Sequence, residues 1–411
     1  MRSPPRFGRE REIGARQVFD LHLSEEQLAI RETVRDFVTE KLKPAALRPE
    51  RLEPFERPLL MDLLDEASAL GLRSLLLPEE MGGAGADALT ACIVAEELGA
   101  GDPDLAAALG ETWLLCGLLA GKLMTEAQRD RFLPRFLEDP RYHLAFADHE
   151  PESDTALGAD YHRPAAGNRA LKTRAVRAGN GEWIVNGEKD RVLNAPIAKL
   201  LAVEVEAEGV KTLLIPRDAP GLRVSESGRE LGCCGSVHLS DCRVPADALL
   251  GDAAAAALKA SREAPQVQAV NLGIGRAAYE AALDYVKLRV QGARRLVEHQ
   301  AIGTKLAEMA IRLEAARGLI WQAAWALDHP DARAEQRQSD LPLATAARAF
   351  TAEAVYRVAK EAAECFGAMG VMRDMPLQRH VHDALQFLHS RNGNSDAKLR
   401  IGEALAGYRR P

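Results

Sequence analysis

Helix, then β structure, then helix again: the chain is predicted to be α+β, mainly α, and three observations carry this. From about residue 24 to 141 apolar side chains recur at helical spacing. Between about 143 and 250 the period shortens to β-rich runs parted by turn signals. Beyond 250 long helical stripes return. The boundaries read as a flexible extension over 1–20, a helical domain over 21–142, an antiparallel β domain over 143–252 and a C-terminal four-helix bundle over 253–411. The absence of βαβ alternation and of a GxGxxG turn removes a Rossmann reading.

The first 16 residues, "MRSPPRFGREREIGAR", are basic and lack the apolar centre of a signal peptide. Ser24 with Gln27 three residues later forms a capping box, after which Leu28, Val34, Phe37 and Val38 keep near-helical spacing. Helices are predicted around 58–70, 88–100, 104–122 and 126–137, with "PEEMGGAGAD" at 78–87 as a break. In the middle third "YHLAFADHE", "EWIVNGEK", "KLLAVEVEAEGVKTLLIPR" and "SVHLSDCRVP" read as strands, separated by turns such as Gly179-Asn180-Gly181 and Glu208-Gly209. In the last third Leu306, Met309, Leu313, Ala316 and Ile320 make one stripe and Val355, Val358, Ala362, Cys365 and Phe366 another. A second break falls in "HSRNGNSDAKLR", residues 389–400, where a Gly flanked by Asn favours a turn. Asn394 or Ser395 is placed to cap the following helix, with Asp396 in its first turn.

Across 411 residues, 47% hydrophobic and 27% charged, the composition is that of an ordinary globular protein. A net charge of -7 leaves no basic footprint for nucleic acid or an anionic membrane. Six cysteines (92, 116, 233, 234, 242 and 365) show neither CxxC nor zinc spacing, so no metal is expected and a reducing, cytoplasmic setting follows. The apolar stretches around residues 114–119 read as too short to span a bilayer.

From about residue 21 onward the chain resembles the acyl-CoA dehydrogenase family. The residues that carry the resemblance are "LSEEQLAIRETVRDFV", Pro78-Glu79-Glu80-Met81-Gly82-Gly83 for P-E-x-x-G-G, "LAFADHEP" for L-A-x-T-E-P, and Trp183 to Lys189 for W-x-I-N-G-x-K. Arg243-Val244-Pro245 matches the strand closing the β domain, and residues 272–308, with Glu298-His299-Gln300, match the central bundle helices. The order and spacing of these pieces make the resemblance specific. It implies FAD at the junction of the β domain and helices, an acyl-CoA thioester substrate, a homo- or hetero-tetramer, and an electron-transferring flavoprotein as acceptor. A carboxylate would take the α-proton while the β-hydride goes to the flavin.

The chain departs from the family at the residues that do this chemistry. Where relatives carry E-G-T, the Glu being the base, this chain has Asn392-Gly393-Asn394, and an amide cannot take the proton. A branch that includes the isovaleryl-CoA enzymes places its base on another helix, at the position of Glu263 here; that residue also suits the start of a helix near Pro265 as a plain solvated acid. The Arg that follows the base in relatives is Ala264. Glu111 aligns with a residue of the acyl pocket, and Ser153 and Asn392 complete the implied substrate set.

Of the implied flavin set, Asp148 and His149 lie in the altered T-E-P strand, Arg191 and Leu193 replace the Trp and Thr of W-I-T, and Arg289 and Gln291 stand near the pyrophosphate. Gly292-Ala293 stands where relatives have F-G, losing the aromatic face for adenine. Glu364, Gly367 and Ala368 replace Q-x-x-G-G, putting an acid where it repels phosphate; Asn394 and Asp396 complete the set. Cys233-Cys234 reads as a neutral turn pair in a shortened loop. Three functions remain open on these residues. One is FAD-dependent α,β-desaturation with Glu263 as base. Another is a non-catalytic or FAD-deficient subunit of a hetero-oligomeric dehydrogenase, akin to those acting on steroid side chains. The third keeps the fold with changed chemistry, elimination or oxygenation.

Overall fold

The computed structural model of the protein describes residues 22–51, 57–151, 171–179, 181–226, 232–331, 341–372, 374–390 and 393–407. The Ser24 side chain accepts from Gln27 N while the Gln27 amide returns to Ser24 N, so the predicted capping box starts helix α1, Glu25–Phe37. Helices α2 (Met61–Ala69), α3 (Ala88–Gly101), α4 (Pro103–Leu118) and α5 (Glu126–Glu138) complete the first third. A single residue, Asp102, ends α3 and caps α4, its carboxylate accepting from Asp104 N and Leu105 N. With its final turn α4 runs over Pro103–Leu123, long and apolar enough to cross a membrane, which corrects the reading that this stretch is too short. Two thirds of its most apolar window are buried within the protein, as in a core helix.

The middle third is a sheet of β1 (His143–Ala147), β2 (Arg174–Arg177), β3 (Trp183–Leu193), β4 (Ala198–Glu206), β5 (Val210–Pro216), β6 (Leu222–Glu226) and β7 (Cys234–Val244). Among the described residues its order is β1-β4-β2-β3-β7-β6, with β5 on β4. Most pairings are antiparallel, yet β1 runs parallel to β4, Leu144 opposite Leu200 and Ala147 opposite Val203. About fifty residues separate these strands in sequence, enough for the crossover that a parallel pair requires.

The last third holds α6 (Ala254–Ser261), α7 (Pro265–Leu288), α8 (Gln300–Asp328), α9 (Leu343–Cys365), α10 (Leu377–His389) and α11 (Gly393–Ala406). Both predicted stripes are buried in a core shared by the bundle and the N-terminal helices. Helices α3 and α7 approach to backbone contact. A Cβ on Gly99 would lie 2.4 Å from the Val270 carbonyl oxygen, and one on Gly273 2.4 Å from that of Glu96. Buried charges tie α10 to the first third. Asp102 pairs with Arg51 at 2.9 Å and Arg379 at 3.1 Å, and Asp383 takes both Nη atoms of Arg57 at 2.9 and 2.7 Å. Such a cluster is costly to desolvate and costlier to break, so it fixes the position of α10.

Candidate active site

Three segments distant in sequence meet at the turn formed by residues 262–264. Pro265 opens α7 at a position where a missing N–H is harmless, and the turn before it is closed by Glu263 N to Ala260 O at 3.0 Å. Arg262 reaches the β domain: its Nη2 donates to Asp148 Oδ1 at 2.6 Å and to Phe146 O at 2.9 Å, and the guanidinium lies 4.9 Å from the Phe146 ring centre. Glu263 points the other way. Its Oε1 accepts from Arg348 Nη1 at 2.8 Å, and Arg348 Nη2 donates to Ser390 O, the carbonyl ending α10, at 3.2 Å.

Glu263 therefore precedes α7 and is ion-paired, which corrects the solvated first-turn reading. The Arg348 side chain is 5% exposed and that of Glu263 23%. Glu263 Oε2 is buried and has no hydrogen-bond partner. The break at 389–393, which lacks the expected acid, is thus joined to the acid at 263 through one arginine.

On the β-domain side, Glu150 and Lys189 form a buried pair at 2.9 Å, 4% and 0% exposed. Glu150 also accepts from Lys172 N at 2.8 Å and Thr173 N at 2.9 Å. Burial pushes its pKa up, but these bonds, Lys189 first, outweigh it and hold the carboxyl at about 2. Arg191, where the family has an aromatic, sits at a register irregularity of β3 with φ +51°. Its amide donates to Asp190 Oδ1 at 2.8 Å, which also accepts from Ser236 Oγ at 2.9 Å, while its guanidinium donates to His149 Nε2. Leu193 is half-buried at the end of the strand.

Just beyond lies a buried trio that the sequence reading missed. Asn194, at φ +66°, donates to Ala108 O at 2.8 Å, Thr112 Oγ1 at 3.2 Å and Leu144 O at 3.2 Å, and Thr112 Oγ1 meets His143 Nδ1 at 3.1 Å. Burial lowers the His143 pKa to about 4, so the ring is neutral. The available signal was an Asn before Ala-Pro, since Asn tolerates the left-handed conformation. Glu111, on α4 beside Thr112, is half-buried.

The acids of the implied flavin set are answered within the chain. Asp148 pairs with Arg262; Glu364, expected to repel phosphate, is held by Lys305, which lowers its pKa; Asp396 pairs with Arg400 at 2.7 Å. Arg289 is exposed at the start of a short hairpin, β8 (Val290–Gln291) and β9 (Arg294–Arg295). Gly292 and Ala293, at φ +62° and +64°, make its turn, and His299 Nε2 donates to Gln291 O at 3.0 Å. Gly367, at φ +61°, and Ala368 form a 3-10 turn after α9.

Asn394 does not cap α11, contrary to expectation. The helix begins at Gly393, and the Asn394 amide is drawn sideways to α9, donating to Ala349 O at 3.0 Å and Glu353 Oε1 at 2.9 Å. Ser153 and Asn392 lie outside the described residues. Cys233 and Cys234 form no disulfide among the described residues, and burial raises the Cys233 pKa to about 11.

Of the cations of the implied flavin set, Arg191 at the β-domain edge is engaged with His149 and Arg289 at the hairpin is exposed. A helical domain, a sheet and a helical bundle meeting at such a site define a three-domain oxidoreductase of the flavin-dependent class. Sequence profiles of the acyl-CoA dehydrogenase N-terminal, middle and C-terminal domains match residues 24–139, 164–242 and 253–402. An acyl-CoA dehydrogenase of Bacillus subtilis (strain 168) is 30% identical over 408 residues, 94% of this chain and 100% of that protein. The cyclohexane-1-carbonyl-CoA dehydrogenase of Geobacter metallireducens is 31% identical over 380 residues, 88% and 92% of the two chains. The solved butyryl-CoA dehydrogenase of Megasphaera elsdenii superposes with a TM-score of 0.81 at 26% identity, covering 94% of this chain and 100% of the other. This chain belongs to the acyl-CoA dehydrogenase family.

Proposed function

We propose that the chain desaturates an acyl-CoA thioester between its α and β carbons, with Glu263 as the base for the α-proton. The observation that carries this reading is the Glu263 carboxylate at the three-domain junction, one oxygen held by Arg348 and the other buried without a partner. An acid with one free oxygen is equipped to accept a proton, whereas the amide side chains of the 392–394 break are not. Bound FAD would supply the hydride acceptor. Arg289 and Gln291 would hold its pyrophosphate side; Arg191, with His149 and Leu193, would face the ring. Glu111, Ser153 and Asn392 are assigned to the substrate. Exposed apolar side chains on the bundle, Leu288 at 82%, Val371 at 69% and Ile311 at 66%, support assembly into a tetramer. Relatives' chemistry makes an electron-transferring flavoprotein the proposed acceptor.

A second reading rests on Arg191. Its guanidinium is engaged by His149 at the position where the family presents an aromatic face, which favours a chain that takes flavin only beside an unlike partner. One experiment separates the two. The chain is purified alone, supplied with FAD, gel-filtered and assayed for bound flavin, then mixed with straight, branched and cyclic acyl-CoA thioesters. Stoichiometric flavin that bleaches with one of these, and does not bleach in Glu263→Gln, is the expected result. A colourless chain sinks the stand-alone dehydrogenase.

A further inference from the structure

We propose that Arg348 is the positioning residue of this site, fixing Glu263 by Oε1 so that Oε2 is the atom that takes the proton. The inference rests on the assignment of Glu263 as base. In the proposed step the α C–H bond breaks, its proton passes to Oε2 and its electron pair forms the double bond, while bound FAD would supply the acceptor for the β-hydrogen leaving as hydride.

The two oxygens of a free carboxylate are interchangeable by rotation, and Arg348 removes that equivalence. It rises from α9 between Ala347 and Ala349, both buried, and is anchored twice, to Glu263 Oε1 and to the Ser390 carbonyl. The second anchor is at the C-terminus of α10, where the helix dipole favours a cation. The break at 390–393 contributes no acid, yet it contributes the carbonyl that holds the arginine.

The ion pairs at Glu97 and Glu96, which join helices, look different. Glu97 engages both oxygens, with Arg276 Nη1 at 3.0 Å and Nη2 at 2.6 Å, and Glu96 engages both with Arg317, at 2.8 and 3.0 Å. Glu263 is bonded through Oε1 alone, and its Oε2 is buried without a partner. A carboxylate oxygen deprived of both water and donor is unfavourable unless something fills the place opposite it. Oε2 is covered by protein in this structure, so the proposal requires that binding of the thioester open the space beside it and bring the reacting carbon against that oxygen.

The test uses the flavin-loaded enzyme with the acyl-CoA that bleaches it, comparing Arg348→Met, Arg348→Lys and each in the Glu263→Gln background. Arg348→Met is expected to lower kcat about 10- to 100-fold with KM within about threefold, as for a misaligned group. Arg348→Lys recovers most of the loss, and neither change alters the residual rate of Glu263→Gln. Thermal unfolding of the same chains without substrate gives an independent readout: the double variant Arg348→Met/Glu263→Gln melts above Arg348→Met alone, because the latter leaves an unpaired buried acid. Unchanged kcat in Arg348→Met, with Glu263→Gln inactive, overturns this inference and leaves the base assignment standing. Full turnover in Glu263→Gln overturns the base assignment and this inference with it. Loss of flavin or of fold in both Arg348 variants assigns Arg348 a structural role and also overturns it.

Discussion

Glu150 and Glu263 are both glutamates paired with a buried cation, and their carboxylate oxygens are satisfied to different degrees. Glu150 accepts from one lysine and two backbone amides, and these donors fix it as a permanent anion. Glu263 accepts from one arginine and keeps an oxygen in reserve. Burial and pairing alone therefore do not distinguish the two; the number of donors on each oxygen does. A saturated carboxylate holds strands together, and an unsaturated one can exchange a proton.

Substitutions can break this contrast, beginning with the largest effect. Glu263→Gln is expected to lower turnover about 100- to 10,000-fold, the usual range for a general base, while shifting the denaturation midpoint little; stopped-flow bleaching and urea titration read the two quantities. Lys189→Met should behave the other way, costing about 3–5 kcal/mol of stability by stranding a buried anion. Chemical denaturation of that variant at pH 7 measures the loss, and a cost below about 1 kcal/mol would remove the distinction drawn here. Acid titration sharpens it further. The Glu150 pKa is depressed from 4.5 to about 2 on folding, so its contribution is fully present above about pH 4.5 and disappears as pH falls towards 2. Glu150→Gln is accordingly predicted to flatten the wild-type loss of stability across that window in calorimetric scans. The smallest effect belongs to Arg262→Gln, which releases the partly exposed clamp to Asp148. It should cost about 1 kcal/mol or less and leave turnover within about threefold, separating the two sides of one turn.

The architecture was readable because it is written locally. The capping box at Ser24, the stripes on α8 and α9 and the change of period at the β domain each occupy a short window and report their own burial. The site was readable only in part. Glu263 emerged from counting along one helix, but Arg348 lies 85 residues further on, and nothing near it in sequence says that its side chain turns towards α7. Asn394 misled for a similar reason: Asn beside Gly is a good local cap, yet an acceptor on α9 claims its amide. Parallel pairing of β1 with β4 was equally hidden, since strand direction is decided by a crossover and not by either strand's own residues.

The approach of α3 to α7 through Gly99 and Gly273 carries a consequence for motion. Two helices in backbone contact, locked besides by Arg276 and Glu97, leave no room for a hinge between the first and last thirds of the chain. The sheet is fastened to helices of the first third as well, since Leu144, Phe146 and Leu200 share a core with Leu115 and Phe132 and Asn194 donates to Ala108 O, so all three parts of the chain are tied together by packed contacts. The residue 262–264 turn, which carries the proposed base, lies where two arginines bind those parts to one another, Arg262 to the sheet and Arg348 to Glu263.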